Sequence, residues 1–158
     1  MPETNEAILR TAADAFNDPS RRERYLDLYD AEVVLHGYPR GLAGRTGAVA
    51  FYSQLWEAFP DARLTVDASI SSGDQVAARY RLSGVQARDF YGAPVTRATG
   101  DLEGIAWLRF HDGRIVEVWQ TSGTLDTVVR LAARASAAPR RSASAEAAAL
   151  RWEEQHEQ

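Results

Sequence analysis

The sequence predicts an α+β fold in which helices come first and a meander of long strands follows. Three observations carry this. Apolar residues recur at helical spacing up to Pro60, the pattern turns extended from Leu64 onward, and tight-turn pairs separate the extended runs. Helices grouped ahead of strands argue against alternating βαβ units and a parallel sheet.

The first helix rests on Ile8, Ala12 and Phe16 at spacing four, with Leu9 beside them. Asp18-Pro19 reads as an N-cap followed by proline at the first helical position, and so opens a second short helix with Tyr25, Leu28 and Tyr29 on one face. Val33-Val34-Leu35-His36, ended by Gly37, is a short strand. A third helix is predicted over Thr46–Phe59, with Val49, Tyr52, Leu55, Trp56 and Phe59 as its apolar stripe and Pro60 as its stop. Strands are predicted over Leu64–Ile70, Gln75–Leu82, Ala98–Phe110 and Arg114–Thr121, with turns at Gly73-Asp74 and Asp112-Gly113. Leu125, Val128, Val129 and Ala132 suggest one more short helix. From Ala135 the composition shifts to Ala, Ser and Arg, so the domain is expected over 1–135. Residues 136–158 then form a linker-like tail with room for a helix around Leu150 and Trp152.

Composition narrows the chemistry. A chain of 158 residues suits one domain able to bury about 70% of its unfolded surface. It contains no Cys, and all 18 of its basic residues are Arg. Thiolate metal sites, cysteine nucleophiles, Schiff bases and a P-loop lysine are therefore excluded. With three His and a net charge of −4, zinc sites and nucleic-acid binding are not expected, and neither a cofactor nor a metal is called for. No apolar run is long enough to span a membrane, and Met1–Glu6 lacks the features of a signal peptide, so a cytoplasmic protein is expected. Acid–base chemistry by Asp, Glu, His or Tyr remains open, as does binding without chemistry.

A two-residue turn at Asp112-Gly113 sets a register for the last hairpin. It pairs His111 with Arg114, Phe110 with Ile115, Leu108 with Glu117 and Ala106 with Trp119. One face would then carry Glu117 and Trp119 among apolar residues and look into a pocket. The other would carry Trp107, Val116 and Val118 and be buried by a second copy, giving a homodimer. On this register Glu117 is either a carboxyl with a raised pKa in an apolar cavity or a sheet-edge partner for an arginine such as Arg79.

The motifs, taken in order, resemble a known family. Val34-Leu35-His36-Gly37-Tyr38-Pro39, Gly44-Arg45-Thr46-Gly47, Phe51-Tyr52 and Ala58-Phe59-Pro60-Asp61 match the first half of SnoaL-like proteins of the NTF2-like superfamily. Gly73-Asp74-Gln75-Val76-Ala77-Ala78-Arg79, Phe90-Tyr91-Gly92-Ala93-Pro94 and Arg109–Trp119 match the second half. The resemblance implies a cone-shaped curved antiparallel sheet around the helices, with a pocket for an apolar, ring-forming small molecule. It implies a cofactor-independent cyclase or isomerase acting on a polyketide-like substrate. Epoxide hydrolysis and non-catalytic binding are the alternatives.

Three positions depart from the family pattern. Its acidic residue after the last-strand Trp is Gly123 here, the epoxide-hydrolase Asp is Thr121, and Gly-Thr-His is Gly84-Val85-Gln86. The candidate catalytic groups are therefore His36, whose strand borders the family's pocket, Glu117, and Asp126 as a substitute acid. Tyr38, Trp56, Tyr80, Gln86 and Trp119 are candidate substrate contacts, the tyrosines by hydroxyl and the tryptophans by stacking.

Overall fold

The computed structural model describes residues 3–92, 95 and 99–122. The element expected around Leu125–Ala132, the tail 136–158 and Asp126 lie outside them. Helix α1 spans Asn5–Phe16 and is capped by Thr4, whose hydroxyl accepts from the Ala7 amide at 3.2 Å. It buries Leu9, Ala13 and Phe16. Asp18-Pro19 makes a turn, and the expected second helix forms as a 3-10 segment over Arg22–Leu28 that buries Tyr25, Leu26 and Leu28. Helix α2 spans Gly44–Ala58 and buries Ala48, Phe51, Tyr52, Leu55 and Trp56. Its buried stripe is rotated from the one expected, leaving Val49 outward.

The strands are β1 (Tyr29–His36), β2 (Arg63–Ser72), β3 (Gln75–Val85), β4 (Thr99–His111) and β5 (Arg114–Ser122). They form one sheet of five strands in the order β1-β5-β4-β3-β2. All neighbours are antiparallel except β1 and β5, which run parallel, so the sheet is mixed rather than wholly antiparallel. Both helices and the 3-10 segment cover one face. The core lies between, built on Phe16, Leu55, Val33, Val76, Ile115 and Val118.

Two one-residue bulges reshape the sheet. One lies in β2, where Val66 pairs with Tyr80 but Ala68 with Arg79. The other lies in β5. The Asp112-Gly113 turn is tight as expected, both residues having positive φ, and the His111–Arg114 and Phe110–Ile115 pairs form. Then Val116 is skipped, and Arg109 pairs with Glu117, Leu108 with Val118, Trp107 with Trp119 and Ala106 with Gln120. Because side chains alternate, this shift moves every residue after Val116 to the face opposite the one expected. Val118, expected outside, is buried at 1% exposure, while Trp107 is 51% exposed. No helix among the described residues is long and apolar enough to cross a membrane.

Candidate functional site

A cavity opens between the helices and the inner face of the sheet. Its walls come from α1 (Leu9, Phe16), α2 (Phe51, Leu55), β2 (Leu64, Val66), β4 (Ala106, Leu108) and β5 (Ile115, Val118). About 60 Å³ is open to the centres of water-sized molecules, and the empty volume, which runs out to solvent at the mouth, is about 680 Å³.

Polar groups enter this apolar space chiefly as phenols. Tyr25 and Tyr29 stand four residues apart where the 3-10 segment passes into β1, Tyr52 projects from α2, and Tyr38 follows the Gly37 turn. The Tyr52 hydroxyl lies 2.9 Å from Tyr29, 3.3 Å from Tyr25 and 3.3 Å from Tyr38, and Tyr25 and Tyr29 are 3.1 Å apart. The Tyr25 ring packs edge-on against Phe16, Tyr29 and Tyr52, its centroid 5.0 Å from that of Tyr52, while Tyr29 lies tilted on Tyr52 and Tyr38 packs edge-on against Phe51. Burial pushes all four hydroxyls above the ordinary phenol pKa, so each is a neutral donor at physiological pH. Tyr80 and Gln120 also line the cavity. Among the described residues, none lining it carries a carboxylate or an imidazole.

His36, Glu117 and Trp119 meet elsewhere. The β5 bulge puts Glu117 and Trp119 on the outer face, where β1 brings His36 alongside. His36 Nε2 lies 2.9 Å from one Glu117 oxygen, Arg109 donates to the other at 3.1 Å, and the imidazole stacks on Trp119 at 5.1 Å. Two readings stood open for Glu117, a pocket carboxyl with a raised pKa or the partner of an arginine, and the first does not hold. Instead the His36 hydrogen bond foremost, and that from Arg109, hold its carboxyl below the ordinary value. Its arginine partner is Arg109 rather than Arg79.

Trp56 also differs from expectation. It is buried against Phe16 and Tyr52 under the Arg22 guanidinium, and lines an outer groove rather than the cavity. Gln86 is buried and donates to the Arg88 carbonyl at 3.0 Å, away from the cavity lining. Tyr38 and Tyr80 do line it. Tyr25, Tyr29 and Tyr52 were legible only as apolar-face residues. The available signal was three phenols on stripes that Leu or Phe would fill equally well. Among the described residues, no group of His, Asp and Glu is arranged to hold a metal.

A family model described as SnoaL-like polyketide cyclase matches residues 7–128. Among solved structures, IdmH from Streptomyces antibioticus, a candidate polyketide cyclase, is 26% identical with a TM-score of 0.67, covering 82% of this chain and 99% of its own. AclR from Streptomyces galilaeus, a candidate hydroxylase, is 23% identical with a TM-score of 0.67, covering 80% and 94%. A SnoaL-like polyketide cyclase from Agrobacterium tumefaciens is 19% identical with a TM-score of 0.67, covering 82% and 99%. A search of curated proteins gave no match.

Proposed function

This chain belongs to the SnoaL-like polyketide cyclase family, and from that premise we propose that it closes or isomerises a ring in a polyketide-like molecule without a cofactor. The observation that carries the reading is an apolar cavity whose inward polar groups are mostly neutral phenols. In an intramolecular aldol step an enolate carbon bonds to a ketone carbon, and the ketone oxygen gains negative charge before taking a proton. A phenol aimed at that oxygen stabilises the charge as it develops. Apolar walls that hold a flexible chain folded lower the barrier further by orientation. The narrow interior admits one end of such a molecule, with the rest at the mouth. For the enolising base the sequence offers Asp126, which lies outside the described residues.

The test is turnover of a panel of linear poly-β-ketones, beginning with heptane-2,4,6-trione, which closes to an aromatic ring with loss of water. Acceleration over buffer is expected, with kcat falling about 10²–10³-fold in Tyr38→Phe, the usual loss for one oxyanion donor. Saturable binding of the panel with no acceleration would favour a non-catalytic binding protein. The missing carboxylate among the described cavity residues speaks for that second reading.

We further propose that a second copy covers the outer sheet face. There His36, Trp119, Trp107, Ala77 and Ile70 form one row across all five strands. Trp107, Ile105, Val34 and Ile70 are exposed. Glu117 is paired with Arg109 and His36, so its charge is already compensated where two such faces would meet about a two-fold axis.

A further inference from the structure

The tyrosine cluster can be read by counting protons. Four hydroxyls carry four donors, and four contacts join them. Among themselves the four hydroxyls can spend every donor. Tyr25, Tyr29 and Tyr52 close a three-membered ring, and Tyr38 donates into Tyr52. Tyr38 differs from the rest. Its hydroxyl meets Tyr52 at 3.3 Å, it follows the Gly37 bend after β1, and its ring is only partly buried.

A carbonyl oxygen entering the cavity changes the best arrangement. If Tyr38 turns its proton to the ligand, Tyr52 can turn its own from Tyr25 to Tyr38. The bonds then run in one direction, Tyr25 to Tyr29 to Tyr52 to Tyr38 to ligand. Only the 3.3 Å Tyr25–Tyr52 contact is given up, and the new bond to the ligand replaces it. Each hydroxyl that donates while accepting becomes a stronger donor, by about 10–30% per bond.

We propose that Tyr38 is the hydroxyl this cavity presents to the carbonyl oxygen of a bound ketone, and that Tyr25, Tyr29 and Tyr52 are positioning residues acting through it. The inference rests on the cavity being the ligand site argued above, and it assigns the ligand class as ketones. It also separates residues that touch the ligand from residues that do not.

The probe is 1-tetralone, with tetralin as the matched hydrocarbon, bound to the full chain. The ketone stretching frequency of bound tetralone should lie below its value in hexane. Tyr38→Phe should return it to the hexane value and weaken tetralone binding about five- to tenfold, leaving tetralin binding unchanged. Tyr25→Phe, with Tyr38 intact, should give an intermediate frequency, and Tyr29→Phe serves as a second relay variant. Retained tetralin binding certifies that each variant is folded. No saturable tetralone binding to wild type, equal frequencies in wild type and Tyr38→Phe, or a wild-type frequency in both Tyr25→Phe and Tyr29→Phe would overturn the proposal. The ring-closure assay fails separately. Acceleration with an unshifted stretch removes only the relay, and a shifted stretch without acceleration removes only the catalytic reading.

Discussion

Asn17 shows what one amide can do at a junction. It caps the end of α1, and its side chain grips β2, Nδ2 donating to the Leu64 carbonyl at 2.8 Å and Oδ1 accepting from the Leu64 amide at 2.6 Å. Asn17→Ala removes both bonds and strands two part-buried backbone groups, so a loss of about 1–3 kcal/mol in urea unfolding is expected. A variant within about 0.3 kcal/mol of wild type would show that water replaces the clamp at no cost. Nothing in the sequence singles out Asn17, because its partner lies in a strand far along the chain. Tyr25, Tyr29 and Tyr52 were hidden for a related reason. Periodicity reports which face of an element is apolar, and a phenol satisfies that test as well as a phenyl does. That Tyr25, Tyr29, Tyr38 and Tyr52 converge their hydroxyls is decided by how α2 lies across β1, which is a tertiary fact.

The hairpin of β4 and β5 marks where reading by element succeeds and where it stops. Asp112-Gly113 specified its turn and the first two pairs, since few other residues adopt positive φ there. The bulge at Val116 was not legible. Residues 116–119 read Val-Glu-Val-Trp, so either alternation supplies apolar side chains to both faces and the pattern does not choose. On the face it acquires, Glu117 lies between His36 and Arg109, and its folded-state pKa is lowered. A lowered carboxyl pKa stabilises fully above the unfolded value of about 4.3, and that contribution fades as pH falls through the folded value. Glu117→Gln should therefore unfold more easily than wild type at neutral pH, with the gap closing in acid. Denaturation midpoints measured at pH 7 and at about pH 2 decide this, and an equal gap at both would refute it.

For the whole molecule, the α+β class, the order of elements and the two-sided sheet were all readable, because long runs of 3.6 and 2.0 periodicity leave little choice. Which face would meet a second copy was not, since it depended on the bulge. The outer face carries Trp107 and Trp119, and Val118 belongs to the core. Trp107→Arg should yield a folded monomer in sedimentation, with the far-UV spectrum of wild type. Val118→Arg, expected on the simpler register to split a dimer, should instead unfold the chain by burying an unpaired charge. A Trp107→Arg variant that sediments like wild type as a dimer would rule out this interface.

The parallel pairing of β1 with β5 also sets a timetable. β1 is the first strand to be synthesised, yet its partner in the sheet is the last of the five. At roughly 5–20 residues per second, on the order of five to fifteen seconds pass between Val34 leaving the ribosome and Glu117 following it. Throughout that wait both helices lack the finished surface they cover, and Val33 and Leu35 belong to a strand with nothing to join. Bringing the two ends together carries the loop-closure penalty of a long chain, met only when β5 arrives. The five-stranded sheet is thus complete only once β5 has been made, and a chain stalled between Gly73 and Arg114 leaves β1 without its strand partner.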